Sequence, residues 1–513
     1  MAADEVVRTG AGYVRGLRRD GLRLWRGIPY ASPPLGDLRH RPPLPPEPWS
    51  GVRDATETPP RAWQADPPDP AGPALSEPPL EEPPPCSEDC LYLNVSAPEE
   101  PPPGGGYPVL VWIHGGGYLR GWGNQAPAGD GATFVRRGIV VVTVNYRLGA
   151  FGFLDLEDLF GPDEASDGRS AGLLDQVAAL RWVNTNIAAF GGDPRQVTVY
   201  GVSAGGKSVV NLLGSPLAAG LVTRAICSSG GDYVATPPQS ASVRRRLLEA
   251  LGLSDDQAVK VRQVPASDLL AAQESLVAPG TGTWVWRPGT GGSALPEHPL
   301  EAIARGAARG VPLLVGNNGN EAFNFASAGP AIAGEARRVL RGYFGAAEAS
   351  AMLDGYAAAY PDRDETAIGV LVMGDERYAI PTHRLANAQA AHAPVWRYRM
   401  DSSPPDTPVE SAGAHGLDGQ MTWRADEFGS LDDPRATVCV AMADAWAGFV
   451  RTGEPTGVEE AFGSWARYTP EEQTTMILGP DPHPERAPRA GVHALWEGRT
   501  WQPSTWWHIE GIS

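Results

Sequence analysis

The sequence has 513 residues, a formal net charge of −18 and a hydrophobic fraction of 42%. This length and apolar content allow a large buried core. The acidic balance argues against nucleic acid and against anionic membrane surfaces as partners, because both are bound by clustered cations. No run of about 18 apolar residues indicates a transmembrane helix, and the N-terminal residues lack the features of a secretory signal. We therefore expect a cytoplasmic protein.

The chain contains four cysteines, which is too few for a disulfide scaffold. Cys86 and Cys90 have no histidine near them, which argues against a zinc site. We expect reduced thiols at all positions, namely Cys86, Cys90, Cys227 and Cys439.

From the N-terminus onward, the first distinctive stretch is rich in proline and covers about residues 42–103. Proline lacks an N–H and disfavours helix in the residue before it. The composition predicts an extended loop on the surface, and an inert linker is favoured over a mobile flap.

After this stretch, apolar runs alternate with helical patterns. The runs lack strict alternation, which suits strands buried on both faces of a parallel sheet. The helical segments between them imply that helices cover both faces. The predicted strands are Val109–Ile113, Ile139–Val144, Gln196–Tyr200, Val311–Val315 and Val395–Tyr398, and the predicted helices are Ala171–Asn186 (with Asp167, Gly168 and Ser170 as candidate caps), Ala204–Leu213, Ser242–Leu251 and Pro299–Ala308.

The pattern over about residues 325–390 predicts mostly helix, which we expect to form a lid or a side layer. No boundary is evident inside this segment. The predicted architecture is therefore α/β, with a mostly parallel central sheet and helices on both faces.

The sharpest local signal is Gly201-Val-Ser-Ala-Gly205, which follows an apolar strand and precedes a helical pattern. A G-x-S-x-G motif between a strand and a helix is typical of a nucleophile elbow. Its tight turn exposes the hydroxyl of Ser203 near a helix N-terminus, where developing negative charge is favoured.

The same residues also support a different hypothesis. Gly201–Ser208 matches the phosphate-binding pattern G-x-x-x-x-G-K-[ST], in which Lys207 would bind phosphate and Ser208 magnesium. Outside that hypothesis, Lys207 is expected to be exposed or ion-paired. Taken alone, the two patterns nearly tie. A P-loop also needs an aspartate at the end of another apolar strand, and Asp232 is a poor candidate, so we favour the elbow.

A serine that attacks a carbonyl needs donors for the oxyanion. His114-Gly-Gly-Gly117 follows the predicted strand Val109–Ile113, and such a pattern supplies half of a hydrolase oxyanion hole. The N–H of the residue after the nucleophile, Ala204, supplies the other half. A glycine run by itself is equally compatible with a plain turn.

The serine also needs a base and an orienting acid, in the order serine, acid, histidine. Small residues surround His415, as expected for a loop pressed against a site, and Glu321 follows the end of an apolar strand. The residues alone leave both assignments open. The other histidines after Ser203 are His298, His383, His392, His483, His493 and His508.

At the level of the whole chain, the sequence resembles the type-B carboxylesterases, the family that includes bacterial p-nitrobenzyl esterases and the cholinesterases. The matches run in order along nearly the entire chain. They are Trp25–Ala31, Pro33–Arg39, Ser87–Val95, the triple glycine, Asn145–Phe153, Phe190–Val199, the elbow, Gly316–Glu321, Gly413–His415 and Phe449–Pro455.

This resemblance implies the α/β-hydrolase fold as a single domain over residues 1–513, with the site at the bottom of a gorge and no metal or organic cofactor. It implies Ser203 as nucleophile, Glu321 as acid and His415 as base. The resemblance places the oxyanion donors at Gly116, Gly117 and Ala204.

Three positions depart from the family pattern. Val202 stands where a glutamate usually precedes the serine, and Lys207 replaces a small residue. Cys90 corresponds to a cysteine that forms a disulfide in secreted members, but Trp63 stands where the partner cysteine is expected. A loop that is not crosslinked through Cys90 fits a reducing compartment.

The predicted function is hydrolysis of small to medium carboxylic esters through an acyl-enzyme on Ser203. The alternatives are a catalytically inactive cholinesterase-like binding protein and, less favoured, a P-loop nucleotide binder. Sequence does not specify the natural ester or the oligomeric state. Candidate gorge aromatics are Trp122, Trp284, Trp286, Phe323 and Trp423.

Overall fold

The computed structural model describes residues 5–65, 83–125, 127–157, 168–276, 285–323 and 329–501. Within these ranges a 13-stranded sheet runs through the molecule. Its strands are β1 (Glu5–Arg8), β2 (Tyr13–Arg19), β3 (Leu22–Pro29), β4 (Val52–Asp54), β5 (Tyr92–Pro98), β6 (Tyr107–Ile113), β7 (Val140–Val144), β8 (Gly192–Val202), β9 (Arg224–Ser228), β10 (Leu313–Asn318), β11 (Val395–Met400), β12 (Thr474–Leu478) and β13 (His483–Arg486).

The strand order is β1-β2-β3-β5-β7-β6-β8-β9-β10-β11-β12-β13, and β4 pairs with β2. The block from β7 to β12 is parallel throughout. The pairs before it from β1 to β7 in this order, and the last pair β12–β13, are antiparallel, and β4 pairs with β2 in parallel. The carboxyl ends of β8, β9, β10 and β11 therefore meet at one edge of the sheet, which is where open parallel sheets build their sites.

α-Helices occur throughout the described part of the chain. They are α1 (Ala132–Val135), α2 (Gly149–Phe153), α3 (Ala171–Asn186), α4 (Ala204–Gly214), α5 (Pro237–Ala250), α6 (Ala266–Ser275), α7 (Pro299–Ala304), α8 (Ala331–Phe344), α9 (Ala346–Ala359), α10 (Glu365–Gly374), α11 (Ile380–Ala390), α12 (Leu417–Trp423), α13 (Ala425–Phe428), α14 (Pro434–Thr452), α15 (Glu459–Phe462) and α16 (Ala490–Trp496).

The sheet separates two hydrophobic cores, and β6 shows how. Val109 and Val111 face the core that contains residues of α3 and α4. Leu110 and Trp112, which point to the opposite face, belong to the core that contains residues of α14. Since both faces of β6 are covered, its continuous apolar run is accounted for, and the predicted α/β architecture is confirmed.

One sequence-based expectation about the proline-rich stretch is wrong. β5 lies within residues 42–103, and every residue of β5 is buried between β3 and β7. The run Leu91–Val95 contains no proline and is largely apolar, so the composition averaged over the whole stretch concealed a core strand. Residues 66–82 of the stretch lie outside the described residues.

The cap predicted for α3 is also different in the structure. Ser170 occupies the N-cap position, but its side chain makes no capping hydrogen bond. Instead, its hydroxyl donates to the carbonyl of Gly289 at 3.1 Å and accepts from the N–H of Gly289 at 3.2 Å. Ser170 therefore joins the start of α3 to a distant loop.

Four helices, α8 to α11, fill the segment from residue 331 to 390, where the sequence predicts helix. A single π-helical turn, Asp375–Ala379, connects α10 to α11. α11 packs against β10 and β11, which brings this turn to the edge of the sheet. None of the helices in the described segments combines the length and apolar character needed to span a bilayer.

Candidate active site

Ser203 occupies a sharp bend between the centre of the sheet and a buried helix. β8 ends at Val202 and α4 begins at Ala204. The backbone of Ser203 has φ 61° and ψ −122°, a conformation that non-glycine residues rarely adopt. The carbonyl of Ser203 accepts a 2.8 Å hydrogen bond from the N–H of Lys207, which starts the helix. Strain of this kind is maintained only where the surroundings over-determine it, and it clusters at functional sites.

The glycines of the motif are required by close contacts. A Cβ on Gly201 would lie 2.2 Å from the carbonyl of Gly205. A Cβ on Gly205 would lie 2.0 Å from the carbonyl oxygen of Ile113, the last residue of β6. The bend is thus packed against itself and against the neighbouring strand, and the two glycines make room for the adjacent chain.

Glu321 and His415, which the sequence places 94 residues apart, are in direct contact. Nδ1 of His415 lies 2.5 Å from Oε2 of Glu321. The two segments are joined by backbone: Asn320 and Ala414 form an isolated bridge, and the N–H of Asn320 donates to the carbonyl of Gly413 at 2.8 Å. The side chain of Glu321 is 2% exposed and that of His415 is 19% exposed. The imidazole is therefore oriented by a buried carboxylate.

The other oxygen of Glu321 is held by two donors. The hydroxyl of Ser229 donates to Oε1 at 2.6 Å, and the N–H of Asn318 donates to the same atom at 2.7 Å. Ser229 follows β9, and the N–H of Ser203 donates to the carbonyl of Ser228 at 3.0 Å. A continuous chain of contacts thus connects the serine bend to the carboxylate.

His415 and Ser203 are not hydrogen-bonded to each other. Nε2 of His415 is buried and has no hydrogen-bond partner among the described residues. On the other side, the ring of Tyr378 packs against the imidazole, with centroids 4.3 Å apart and planes inclined by 32°. The nitrogen that a proton-accepting base would use is thus left available.

The three-glycine turn lies directly against the serine. A Cβ on Gly115 would lie 3.3 Å from Cβ of Ser203. In the described part of the chain, the N–H groups of Gly116 and Gly117 donate no backbone hydrogen bond. Ala204 is the first residue of α4, so its N–H has no partner inside the helix. Three backbone donors thus lack a backbone acceptor near Ser203.

His114 supports this turn from behind. Its ring stacks on Tyr146, with centroids 4.4 Å apart, and its Nδ1 lies 2.8 Å from the carbonyl oxygen of Gly115. Burial lowers the pKa of His114 to about 4, so the ring is neutral near pH 7. Its position behind the turn indicates a structural role.

The P-loop hypothesis is wrong, because its two ligand side chains are occupied elsewhere. Lys207 is fully buried and its Nζ donates to the carbonyl of Gly230 at 2.8 Å. The hydroxyl of Ser208 donates to Oη of Tyr118 at 3.2 Å and accepts from Gln176 at 3.0 Å. Lys207 is accordingly neither a surface residue nor a phosphate ligand.

Several residues around the site were not identified from the sequence. Asp418 is a third such residue, besides Ser229 and Asn318. It accepts a 2.6 Å hydrogen bond from Tyr398 and a 3.2 Å bond from Nδ2 of Asn318, so it shares the partner Asn318 with Glu321. Burial, together with the charge of Glu321, raises the pKa of Asp418, although its hydrogen-bond donors oppose this. The only sequence signal of these three residues is their position. Ser229 follows β9, Asn318 ends the neighbouring parallel strand β10, and Asp418 follows His415.

The other predicted candidates lie away from this cluster. His298 pairs with Asp232 at 3.2 Å, and His383 stacks on His493 with centroids 4.0 Å apart. Trp286 and Trp423 belong to the hydrophobic cores, so the expectation that they line a gorge is wrong. Trp122 and Phe323 are partly exposed, and Trp284 lies outside the described residues.

Val202, at the position where the resembled family usually has glutamate, is an apolar core residue. It is 9% exposed and belongs to the core on the α14 side of the sheet. A Cβ on Gly419 would approach its Cγ2 at 3.2 Å. The residue before Ser203 therefore contributes packing and no charge. Across the described residues, no group of three or more histidine, cysteine, aspartate or glutamate side chains is placed to hold a metal ion.

Comparison with known proteins agrees with this geometry. The model of the carboxylesterase family matches residues 3–496. The chain belongs to the carboxylesterase family. Among curated relatives of this family, the para-nitrobenzyl esterase of Bacillus subtilis (strain 168) is 38% identical over 489 residues, covering 92% of this chain and 94% of the relative. The phenmedipham hydrolase of Pseudarthrobacter oxydans is 34% identical, covering 93% and 96%.

Solved carboxylesterase structures have the same fold. A PNB esterase structure superposes with a TM-score of 0.80 at 36% identity, covering 96% of this chain and all of the other. The carboxylesterase of Geobacillus stearothermophilus at pH 6.2 gives a TM-score of 0.83 at 35% identity, with the same coverage. The protein is thus an α/β-hydrolase of the carboxylesterase family and a serine carboxylic-ester hydrolase.

Proposed function

We propose that Ser203 is the nucleophile, His415 the general base and Glu321 the orienting acid of this carboxylesterase. The observation that carries the proposal is the 2.5 Å contact between Glu321 and Nδ1 of His415, next to a strained serine bend. Because Glu321 occupies Nδ1, the proton-accepting atom of the neutral imidazole is Nε2. That atom is buried and has no hydrogen-bond partner among the described residues.

In the acylation step, Nε2 of His415 takes the proton of Ser203 while the hydroxyl oxygen attacks the ester carbonyl. The negative charge that develops on the carbonyl oxygen is bound by the N–H groups of Gly116, Gly117 and Ala204. Each such donor contributes about 10²–10³ in rate. His415 then protonates the departing alcohol.

In the deacylation step, water attacks the acyl-enzyme with His415 again as base. Glu321 stays ionised, holds the imidazole in one tautomer and stabilises the imidazolium that forms. The two donors on Oε1, Ser229 and Asn318, keep the carboxylate aimed at Nδ1 throughout.

The proposed substrates are carboxylic esters of small to medium size, of neutral or aromatic alcohols. Relatives named as a phenmedipham hydrolase, a fumonisin B1 esterase and a cocaine esterase are named for different substrates, so acyl chain length is the variable to test. A panel of p-nitrophenyl esters of graded acyl length should give its highest kcat/KM among short and medium members. A preference for the longest acyl chains would overturn the size assignment.

A fluorophosphonate probe tests the catalytic assignment directly. We expect covalent labelling at Ser203, located by peptide mass spectrometry, and no labelling or hydrolysis in Ser203→Ala. The matched control is Ser254→Ala at an exposed serine, which should label and hydrolyse normally. Labelling of Ser203→Ala at another serine would overturn the assignment, and a folded wild-type chain that is inert to probe and esters would support an inactive binding protein.

We also propose one domain for the chain and a reducing compartment such as the cytoplasm. Support for one domain comes from the sheet, whose strands run from β1 to β13. Support for a reducing compartment comes from the thiols, since all four cysteines are free. Cys90 and Trp63 line the same small cavity, so tryptophan stands beside the thiol.

A further inference from the structure

The buried Lys207 is the feature of this site that the esterase mechanism does not use. It lies one helical turn after Ser203 on α4, and its side chain is fully buried. A buried ammonium is costly unless it is paired or hydrogen-bonded. Burial, with the positive charge of Arg377 beside it, lowers the pKa of Lys207 to about 7. We therefore expect a lysine at this position to have a role that offsets the cost of burying it.

The ammonium of Lys207 contacts two segments outside its own helix. Nζ donates to the carbonyl of Gly230 at 2.8 Å and to the carbonyl of Arg377 at 3.4 Å. It also lies 4.7 Å from the ring centroid of Tyr378 and 5.3 Å from that of Tyr233, within the range of cation–π attraction. One side chain thus joins α4 to the loop after β9 and to the π-helical turn.

Each of these segments touches a member of the proposed triad. Gly230 directly follows Ser229, whose hydroxyl holds Oε1 of Glu321. Tyr378 lies on the π-helical turn, and its ring packs 4.3 Å from that of His415. The third segment, α4, begins immediately after Ser203. Through these contacts, Lys207 reaches the helix that follows Ser203, the loop that holds Glu321 and the ring that packs against His415.

We propose that Lys207 is a positioning residue that holds the Ser203 helix, the Ser229 loop and the Tyr378 turn in register, so that acid and base face the nucleophile. This inference rests on the proposed triad. The carbonyls of Gly230 and Arg377 fix where the ammonium sits, and the ring of Tyr378 transmits its position to His415. A misplacement of about 1 Å in a group that holds a reacting centre costs about 10²-fold in rate. Even a small displacement of these three segments should therefore lower kcat measurably.

The test compares Lys207→Met, a neutral side chain of similar length, with wild type. The matched control is Lys260→Met, which changes the chain's only other lysine, an exposed one. With p-nitrophenyl acetate, we expect kcat of Lys207→Met to fall about 10- to 100-fold with KM changed less than about threefold. Lys260→Met should match wild type.

A folded Lys207→Met with wild-type kcat would overturn the proposal. Failure of the triad itself is distinguishable, because wild type would then not label at Ser203 with the fluorophosphonate probe. If Lys207→Met does not fold, a second measurement decides. With two lysines, selective ¹³C-lysine labelling gives two side-chain signals, and Lys207 should titrate near pH 7. Titration of both signals near the ordinary lysine value of about 10.4 would show that Lys207 is not buried between these segments and would contradict the proposal.

Discussion

Ser229 donates a 2.6 Å hydrogen bond to Oε1 of Glu321, the carboxylate oxygen that does not face His415. The serine has φ 49°, so its backbone is held in the left-handed region in order to place the hydroxyl there. The loop after β9 can reach the acid because β9 and β10 are adjacent parallel strands. The carboxylate of Glu321 is therefore oriented in part by β9, which pairs with β8, the strand that leads into Ser203.

Ser229→Ala should lower kcat for p-nitrophenyl acetate about tenfold and leave KM nearly unchanged, because a hydrogen bond to a charged group contributes about 1.5–3 kcal/mol. Alanine keeps a side chain at the strained φ, so the comparison isolates the hydroxyl. Steady-state kinetics on the purified variant measure the effect, with Ser254→Ala as control. A wild-type kcat would show that the N–H of Asn318 is sufficient to hold the carboxylate.

Glu321→Gln should lower kcat by about 10³–10⁴, since the amide preserves shape but no longer stabilises the imidazolium or fixes the same tautomer. The variant should remain folded, because the two donors on Oε1 can still bond to an amide oxygen. Pre-steady-state hydrolysis and circular dichroism measure the two properties. Glu365→Gln, at an exposed glutamate, is the matched control. A loss smaller than tenfold would contradict the role given to Glu321.

The bend at Ser203 could be predicted because its signal is local. Gly201, Ser203 and Gly205 lie within five residues, and their pattern implies one bend between a strand and a helix. The strand β6 and the helix α3 were likewise predicted because their hydrophobic patterns are continuous. Such features depend on neighbours in sequence, which sequence analysis can see.

The supporting residues could not be predicted, because they depend on which strands become neighbours. Ser229 meets Glu321 across 92 residues, and Tyr378 meets His415 only through the position of the π-helical turn. Even Glu321 and His415 were singled out with the help of a family resemblance. Lys207 is the clearest case: its sequence position predicted an exposed, ion-paired or phosphate-binding side chain, and tertiary packing buries it.

Gly205→Ala should destabilise the protein by about 3 kcal/mol or more, because its Cβ would lie 2.0 Å from a backbone oxygen that cannot move without breaking the sheet. Gly342→Ala is the matched control. Gly342 is exposed on α8 with no atom near its added Cβ, and alanine there should stabilise by about 0.5–1 kcal/mol. Thermal or urea unfolding measures both, and equal stabilities would contradict the packing described for the bend.

The stacked pair of His383 and His493 should make the protein sensitive to mild acid. Burial, with Arg397 adding to it, lowers the pKa of His383 to about 3, and burial also lowers the pKa of His493. Because the folded pKa lies below the unfolded value of about 6.5, the unfolded chain takes up protons first. The free energy of unfolding should therefore fall as pH drops below about 6.5, by up to about 1.4 kcal/mol per pH unit for each ring.

His493→Phe removes one of these rings while keeping a flat side chain in the stack. Its urea-unfolding free energy should depend on pH less steeply than that of wild type between pH 6 and 4, by about 1 kcal/mol per unit. His483→Phe, at an exposed histidine, should keep the wild-type slope. Identical slopes in all three proteins would show that His493 is protonated when folded.

The backbone bridge between Asn320 and Ala414 makes the carboxylate and the imidazole a single mechanical unit. The loop after β11, which carries His415, is thereby fastened by backbone to the loop after β10, which carries Glu321, whereas no hydrogen bond ties Nε2 of the imidazole to Ser203. Loss of activity on warming should accordingly begin at the serine–imidazole gap. Engineering for heat tolerance is best directed at contacts that tie this unit to α4.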